Sequence, residues 1–315
     1  MHRRVLASPV THSTNEGVAP GRCLPYVPQQ VPDHVGRPGW RTSVSAQTPR
    51  KRITTRDIAA MRQRGESIAM LTAYDATMAA LVEMAGVDMI LVGDSLGNVV
   101  LGHDTTIPVT LDDMIRHAAA VKRGSSRALL VCDMPFGSVT DPDTALANAV
   151  RVMKETGVEA VKVEGGLSMV PTVERLVAHG IAVVAHIGLT PQSVHQMGGY
   201  YMHGKDEASA ERLRQEAKAL EAAGAFAIVL ECVTPVLAAE ITRSLTIPTI
   251  GIGSGKDCAG QVLVINDLIG LNTTPPPSFA RPRADVASII RAAVGEYVAE
   301  TKAERGPIPL PRRAD

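Results

Sequence analysis

Ionisable side chains end five successive runs of β-branched and small apolar residues in this sequence. They are Asp94, Asp133, Lys162 with Glu164, His186, and Glu231. In the segment "KVEGG", Lys162 and Glu164 are two residues apart, so both project to the same face of an extended strand. If the five runs are parallel strands, their carboxyl ends lie together and these side chains converge on one opening.

Four carboxylates around one opening repel one another unless cations join them. Lys162 supplies one positive charge, and a divalent metal ion would supply more. The prospective ligands are oxygen atoms, without an adjacent cysteine or paired histidines, which favours Mg²⁺ over zinc. Asp94 and Asp133 are the expected direct ligands because they end neighbouring strands. A substrate that chelates the ion through two oxygens would be polarised, and charge that develops on its carbonyl would be stabilised.

Eight strands are predicted between residues 67 and 267, with helical periodicity in most of the gaps. The predicted strands are 67–74, 88–94, 128–134, 160–165, 182–187, 225–232, 247–253 and 261–267. Two helices have clear ends: one starts at the Asp cap of "DPDTALANAVRVMKETG" (141–157), and "EASAERLRQEAKALEAAG" (207–224) also ends in glycine. Eight alternating units fit a closed (β/α)₈ barrel of the α/β class. A doubly wound open sheet is the alternative, since strand order cannot be read from one sequence.

The composition excludes several classes of protein. The chain has 315 residues, 45% hydrophobic and 20% charged, with a formal net charge of zero and 3% aromatic residues. A neutral balance and few aromatics argue against nucleic-acid binding, and no apolar run is long enough to span a bilayer. The four cysteines form no CxxC pair or zinc-ligand spacing, which predicts reduced thiols in a cytosolic protein.

The first 50 residues differ from the rest of the chain. They contain seven prolines and six arginines against two acids, and show no apolar periodicity. We expect a disordered extension (1–50) or a misassigned start, with a transit peptide as the alternative. The expected catalytic domain spans 51–305, and 306–315 is an expected flexible tail.

Six segments in order between residues 53 and 300 together resemble the ketopantoate hydroxymethyltransferase family. They read "VGDSLGNVVLGHDTTIPVTLDDMIRH", "CDMPFGS", "KVEGG", "AHIGLTPQSVHQMGGY", "LECV" and "IPTIGIGSG". The resemblance implies a (β/α)₈ barrel of the phosphoenolpyruvate/pyruvate superfamily type. It also implies transfer of a hydroxymethyl group from 5,10-methylenetetrahydrofolate to 3-methyl-2-oxobutanoate, which forms ketopantoate for pantothenate and coenzyme A synthesis. A requirement for Mg²⁺ and assembly into a homodecamer of two stacked pentamer rings are further implications.

The resemblance also implies roles for individual residues. The metal-binding positions are Asp94, Asp133 and Glu164. The positions that contact or line the keto-acid site are Asp94, Ser95, Asp133, Lys162 and His186. Glu231 of "LECV" matches the proton acceptor. Two positions depart from the family pattern: Tyr201 stands where a lysine is more common, and Ala259 where an aspartate usually precedes Gly-Gln.

Two other functions compete with this interpretation. One is a Mg²⁺-dependent lyase or mutase that acts on an oxalacetate-like acid without folate. The cysteine-containing loop motif expected in such relatives is not found in the sequence. The other is an inactive barrel that serves as a binding or assembly module, against which the presence of Asp94, Asp133, Lys162 and Glu231 argues. The segment "GIGSGK" lacks the spacing of a phosphate-binding loop, so we expect its glycines to let a loop pass close to the barrel mouth.

Overall fold

The eight predicted strands are all present and close into a parallel barrel in chain order in the computed structural model, which describes residues 51–304. The strands are β1 (Ile68–Thr72), β2 (Met89–Val92), β3 (Leu129–Asp133), β4 (Ala160–Glu164), β5 (Ala182–Gly188), β6 (Ala227–Glu231), β7 (Thr249–Ile252) and β8 (Gly260–Leu263). Pairing of β1 with β8, from Ile68↔Gly260 to Leu71↔Leu263, closes the ring. The barrel is therefore confirmed and the open sheet is excluded.

Eleven helices accompany these strands in the described part of the chain. They are α1 (Thr55–Arg64), α2 (Ala76–Met84), α3 (Leu96–Val99), α4 (Leu111–Gly124), α5 (Pro142–Thr156), α6 (Val170–Ala178), α7 (Val194–Met197), α8 (Glu207–Ala222), α9 (Pro235–Ser244), α10 (Ile265–Ile269) and α11 (Val286–Glu304). No helix within residues 51–304 combines the length and the apolarity needed to cross a membrane. The expected extension at 1–50 and the expected tail at 306–315 lie outside the described residues, so those domain boundaries stay predictions.

The predicted start and end of helix α5 are both confirmed by their caps. The side chain of Asp141 accepts hydrogen bonds from the backbone N–H groups of Asp143 and Thr144, which satisfies donors at the start of α5. Gly157 ends α5 with φ 75°, a left-handed conformation that glycine adopts without steric cost. Local sequence therefore sets where this helix begins and ends.

Alternating side chains along the strands build two apolar layers. Side chains inside the barrel include Met70, Met89, Leu129 and Val184. Side chains packed between the strands and the helices include Ile90, Leu130, Cys132 and Val161. Cys132 is therefore a core residue, and Lys162 belongs to the opposite face of its strand from Val161.

The predicted end of the eighth strand is wrong. The sequence predicted a strand over 261–267, but β8 ends at Leu263 and Ile265–Ile269 form helix α10. The backbone N–H of Ile265 donates to Thr72 Oγ1 at 2.9 Å, a contact to β1 that an isolated apolar run cannot reveal. The helix then ends at Gly270, which has φ 64°.

At the amino-terminal end of the barrel, Glu83 of α2 binds the segment that leads into β3. Its carboxylate accepts hydrogen bonds from the backbone N–H groups of Ser126, Arg127 and Ala128 at 2.8–3.0 Å, and from the hydroxyl of Ser125. Partial burial would raise the pKa of Glu83, but these hydrogen bonds outweigh it and lower the pKa to about 2. We call Glu83 and residues 125–128 the Glu83 anchor.

We expect Glu83→Gln to lower the free energy of unfolding at pH 7 by about 1.5–3 kcal/mol, since hydrogen bonds to a charged acceptor are lost. The pKa of Glu83 is depressed from 4.5, so its contribution is complete above pH 4.5 and disappears as the pH falls through about 2. Urea unfolding at pH 7 and pH 3 should therefore show a smaller difference between the two proteins at pH 3. Glu174→Gln, at an exposed position of α6, is the matched control. Equal unfolding midpoints for the Glu83 variant and the parent at pH 7 would contradict the role of the anchor.

Candidate active site

A cavity of about 420 Å³ opens at the carboxyl ends of the barrel strands. The residues predicted from the sequence that line it are Asp94, Ser95, Asp133, Lys162, Glu164, His186 and Glu231. The structure therefore brings together all seven residues named from the sequence. Their common location follows from parallel strands in chain order, because each strand delivers its carboxyl end to the same face of the barrel.

Lys162 lies at the centre of the buried charges. Its Nζ is 2.8 Å from Asp133 Oδ1 and 3.5 Å from Glu164 Oε1, and the residue is 4% exposed. The strand register explains these contacts, because Asp133 pairs with Lys162 across β3 and β4. Burial alone would lower the pKa of Lys162, but the charges of Asp133 and Glu164 outweigh it and raise the pKa. The two charges of "KVEGG" can therefore be buried inside the barrel mouth, because Lys162 contacts Asp133 and Glu164, and Glu164 also contacts His186.

His186 connects the lysine to the sixth strand. Its Nδ1 lies 3.1 Å from Lys162 Nζ and 3.3 Å from Glu164 Oε1, while its Nε2 lies 3.2 Å from Glu231 Oε2. The last contact is a charge contact rather than a well-aligned hydrogen bond, since Nε2 has no partner of good geometry. Burial and Lys162 oppose protonation, but Glu164 and Glu231 outweigh them and raise the pKa of His186 to about 9. When His186 is neutral and Nδ1 accepts from Lys162, its one ring proton is on Nε2. When His186 is protonated, both nitrogens carry a proton. In both states an N–H group therefore lies beside Glu231.

Asp94 lies two residues beyond β2 and is 4% exposed. Its backbone N–H donates to Asp133 Oδ2 at 3.0 Å, which fixes the two aspartates side by side. The side-chain amide of Gln192 donates to Asp94 Oδ2 at 2.8 Å and to the carbonyl of Met134 at 3.0 Å. Burial and the charges of Asp133 and Glu164 raise the pKa of Asp94 well above its usual value. The ionised form of Asp94 therefore has too little positive charge near it to balance its own negative charge.

This shortage of positive charge matches the requirements of a divalent cation. Among the described residues that line the cavity, Lys162 is the one Lys or Arg, and Asp94 is paired with the neutral amide of Gln192. Asp133 Oδ1 is buried without a well-aligned hydrogen bond, although Lys162 is close. Mg²⁺ usually takes one or two carboxylates and keeps several waters, which two neighbouring aspartates can provide. Within residues 51–304 no three His, Cys, Asp or Glu side chains converge as a preformed metal cluster.

Ser95 is held by a buried tyrosine. The hydroxyls of Tyr74 and Ser95 are 2.9 Å apart, and Tyr74 is 4% exposed. Burial and the charge of Asp133 raise the pKa of Tyr74, despite its hydrogen bond to Ser95, so the phenol stays protonated at neutral pH. Its proton can therefore be donated to Ser95 Oγ, which frees the serine hydroxyl to donate into the cavity.

A family model described as ketopantoate hydroxymethyltransferase matches residues 52–309. A 3-methyl-2-oxobutanoate hydroxymethyltransferase of Anaeromyxobacter sp. (strain Fw109-5) is 52% identical over 265 residues, which cover 82% of this chain and 87% of the relative. The enzyme of the same name from Magnetococcus marinus is 51% identical and covers 82% and 97% of the two chains. This chain belongs to the ketopantoate hydroxymethyltransferase family. The family and the 3-methyl-2-oxobutanoate hydroxymethyltransferase activity expected from the motifs are confirmed.

Solved structures of low sequence identity share the barrel fold of this ketopantoate hydroxymethyltransferase family member. A phosphonopyruvate hydrolase complexed with oxalate and Mg²⁺ has a TM-score of 0.55 at 13% identity, and the match covers 79% of this chain and 87% of that one. A phosphoenolpyruvate phosphomutase from Streptomyces platensis subsp. rosaceus has a TM-score of 0.54 at 15% identity, covering 78% and 88%. These likenesses confirm the expected (β/α)₈ barrel fold.

In this family member, the strand end that carries Glu231 is clamped by Ser254 of the "GIGSGK" loop. The Ser254 hydroxyl donates to the carbonyl of Leu230 at 2.7 Å and accepts from the N–H of Val233 at 3.0 Å, and the residue is 1% exposed. Between these two bonds, Cys232 has φ 49°, which is uncommon for a residue other than glycine. The loop therefore passes close to the barrel mouth, as predicted, and holds a strained turn that aims Glu231.

We expect Ser254→Ala to lower the free energy of unfolding by about 1–3 kcal/mol, because it leaves a buried carbonyl and a buried N–H without their partner. Turnover should fall more than keto-acid affinity, since the clamp acts on the position of Glu231. Ser168→Ala, at an exposed position, is the matched control for urea unfolding and steady-state kinetics. A Ser254 variant with the stability and turnover of the Ser168 variant would show that the clamp is dispensable.

Several polar residues that line the ketopantoate hydroxymethyltransferase cavity or contact its lining were not identified from the sequence, among them Tyr74, Gln192 and Asp267. Tyr74 ended the predicted strand 67–74 but lies beyond the observed end of β1, and Gln192 lies in a short 3-10 turn after β5. The direction of both side chains therefore depended on the path of the chain. Asp267 ends the predicted eighth strand and could have been counted with the other strand ends. The two departures from the family pattern, Tyr201 and Ala259, do not line the cavity.

Proposed function

We propose that this hydroxymethyltransferase binds and enolises 3-methyl-2-oxobutanoate on Mg²⁺ in the described cavity, with 5,10-methylenetetrahydrofolate as the one-carbon donor. The observation that carries the proposal is the convergence of three buried carboxylates, one buried lysine and the Glu231–His186 pair on one opening. Such an arrangement can hold a chelating keto acid and place a base beside it.

Asp94 and Asp133 are the residues that would hold Mg²⁺ directly. Both are buried and adjacent. Within the described residues, at least one carboxylate oxygen of each accepts no well-aligned hydrogen bond from the protein. Glu164 was also expected as a ligand. Its oxygens already contact Lys162, His186 and the N–H of Gln192, so we assign it to the charge balance of the site and to contact through water. When bound, the ion supplies Lewis-acid stabilisation of the negative charge that develops on the keto oxygen.

Lys162 and Ser95 bind the carboxylate end of the keto acid. Lys162 brings a permanent positive charge, because Asp133 and Glu164 raise its pKa. Ser95 donates its hydroxyl proton, because Tyr74 can donate to its oxygen. These two donors orient the substrate so that its C3–H bond faces the sixth strand.

Glu231 removes the C3 proton. Its side chain is 15% exposed and projects from the same face of β6 as Val229, which lines the cavity. The Nε2–H of His186 lies 3.2 Å from Glu231 Oε2 in both protonation states, so its positive end faces the carboxylate and favours this position of the side chain. A base positioned in this way contributes typically about 10²–10⁴-fold to the rate.

Loss of the proton leaves an electron pair shared between C3 and the keto oxygen. That pair forms a carbon–carbon bond to the one-carbon unit of the folate, and one of the two C–N bonds that hold this carbon breaks with its electron pair left on nitrogen. Water then replaces the second nitrogen on the same carbon, which gives the hydroxymethyl product. The proton taken by Glu231 and one proton of water end on the two nitrogens of tetrahydrofolate, so no oxidant or reductant is needed.

Proton NMR of 3-methyl-2-oxobutanoate in D₂O with enzyme and Mg²⁺ tests the proposal. We expect the C3 proton to exchange for deuterium without folate, and the hydroxymethyl product to appear only with methylenetetrahydrofolate. Absence of exchange would exclude enolisation in this cavity. Exchange without a folate-dependent product would instead favour the lyase or mutase alternative.

We also propose that the chain assembles with copies of itself, as the homodecamer expected from the motifs. Support comes from helix α11, which exposes large apolar side chains along its length. Ile289 is 65% exposed and Tyr297, about two turns further on, is 68% exposed. Exposed apolar surface of this kind favours an interface between proteins. Light scattering coupled to gel filtration measures the mass directly, and a monomer would contradict the assembly.

The cytoplasm is the proposed location. Three unpaired thiols within the described residues, Cys132, Cys232 and Cys258, are compatible with a reducing compartment. Fluorescence microscopy of the full-length chain fused to a reporter at its carboxyl terminus would reveal any other location.

A further inference from the structure

Asp267 is a buried carboxylate in the cavity that the proposed keto-acid chemistry does not use. It lies in helix α10, directly after β8, and is 8% exposed. Its side chain lines the same cavity as Asp94 and Glu231. A buried carboxylate requires hydrogen-bond donors, so its partners define what this part of the cavity can bind.

The protein supplies few of those donors. Asn272 donates its side-chain amide to Asp267 Oδ1 at 2.7 Å. Among the hydrogen bonds within residues 51–304, none reaches Asp267 Oδ2. The backbone around Asp267 is fixed, since Ile265 is bound to Thr72 Oγ1 and the N–H of Leu271 donates to the carbonyl of Asn266. Asp267 Oδ2 is therefore a hydrogen-bond acceptor that the backbone holds in a fixed position.

The wall around Asp267 differs from the charged half of the cavity. It consists of residues 262–264 at the end of β8 and the segment that precedes α11, and its apolar members are Val262, Leu263, Val264, Leu271, Pro275, Pro276, Pro277 and Phe279. A cavity of about 420 Å³ is in the range of sites for ligands of drug size, roughly 300–1,000 Å³. A five-carbon keto acid leaves much of it free. The remaining space suits a flat, largely apolar ligand with a polar edge.

The charge of the cavity limits what that polar edge can be. Asp94, Asp133, Glu164 and Glu231 already exceed the positive charge of Lys162 and His186. An anionic group would be repelled from Asp267, whereas neutral N–H donors would be attracted to it. A 2-amino-4-oxopyrimidine ring carries an amino group and a ring N–H side by side, which match the two oxygens of one carboxylate as a guanidinium does.

We propose that Asp267 binds the 2-amino and N3–H donors of the folate pterin ring, with the apolar wall against the ring faces. This inference rests on the proposed function, because it assumes that folate shares the cavity with the keto acid. The anionic glutamate tail of the folate then points away from Asp267, toward the mouth. The one-carbon unit faces the half of the cavity that contains Glu231.

Calorimetric binding of tetrahydrofolate to the full-length enzyme, with Mg²⁺ and keto acid present, tests the assignment. Asp267→Asn keeps the shape of the side chain but removes the charge and one acceptor, so we expect about 10- to 100-fold weaker binding. A second probe is tetrahydrofolate in which a methyl group replaces the 2-amino group. The parent enzyme should bind this analogue at least about tenfold more weakly than tetrahydrofolate, and the variant should discriminate much less between the two. Asp257→Asn, at an exposed position beside Lys256, is the matched control.

Three results would overturn the assignment. Equal tetrahydrofolate affinity in the Asp267 variant and the control is the first. The second is a lower melting temperature with unchanged tetrahydrofolate affinity, which would mean that Asp267 only holds Asn272. The third is an equal loss of keto-acid affinity measured without folate, which would place Asp267 in the keto-acid site. Should the Asn variant fail to fold, Asp267→Glu, which displaces the carboxylate by one methylene, takes its place with the same expected loss of discrimination.

Failure of the proposed function gives a different pattern from failure of this assignment. If the parent enzyme does not exchange the C3 proton, enolisation is excluded whatever Asp267 does. If exchange is normal and Asp267 has no effect on tetrahydrofolate binding, only the pterin assignment is lost.

Discussion

Glu231→Gln is expected to lose about 10²–10⁴-fold in both C3 proton exchange and turnover while it retains Mg²⁺ and keto-acid binding. The amide keeps the shape of the side chain and its oxygen can still accept from His186 Nε2, which lies 3.2 Å from the carboxylate. It cannot accept a proton from carbon. Exchange measured by proton NMR and affinity measured by calorimetry on the same preparation separate these two effects.

Glu240→Gln is the matched control, because Glu240 is a surface residue of α9 that pairs with Arg214. If Glu231 only orients His186, keto-acid affinity should fall first and exchange at saturating substrate should persist. Exchange in the Glu231 variant at the rate of the control would rule out its role as the base. His186 would then become the candidate base.

Asp94→Asn is expected to have opposite effects on binding and on stability. Mg²⁺-dependent keto-acid affinity should fall by at least about 100-fold, because a direct ligand and part of the negative charge are removed. In the presence of EDTA, however, the variant should melt at a higher temperature than the parent protein. Burial and the charges of Asp133 and Glu164 raise the pKa of Asp94, so its ionised form destabilises the metal-free fold at neutral pH.

Thermal unfolding with and without Mg²⁺ measures both effects in one experiment. A ligand at about 100 times its dissociation constant stabilises a protein by about 2.7 kcal/mol, so the parent protein should gain stability on addition of Mg²⁺ and the variant should not. Asp112→Asn, on the surface beside Arg151, serves as the control. A Mg²⁺-dependent gain in the Asp94 variant equal to that of the parent would remove Asp94 from the metal site.

The elements of the fold could be predicted from local patterns, whereas closure of the barrel was inferred from the number of units and from the family resemblance. Runs such as "ALLVCDM" and "AVVAHI" show their strand character locally, and Gly157 shows where its helix ends. Closure depends on Ile68 of β1 meeting Gly260 of β8, residues almost two hundred positions apart. No local pattern records such a pairing, so the open sheet stayed an alternative to the barrel that the number of units favoured.

Much of the candidate site could be predicted because it is built on strands. In a parallel barrel the direction of Lys162 or Glu231 follows from a period of two and a strand end. Gln192 and Tyr74 lie outside the strands and contact the cavity residues Asp94 and Ser95, and the direction of their side chains is set by these tertiary contacts. The end of β8 was misjudged because the contact of Ile265 with Thr72 turns an apolar run into a helix.

The Glu83 anchor and the cavity lie at opposite ends of the same strands, which are about 16 Å long for five residues. Substitutions at positions so far apart, with no shared partner, usually have additive effects on free energy. Directed evolution could therefore treat heat resistance and substrate range as separate traits. One library would vary residues 125–128 and be screened only for survival of heating, and another would vary the cavity and be screened only for new keto acids. The best member of each could then be joined in one gene with little loss of either gain.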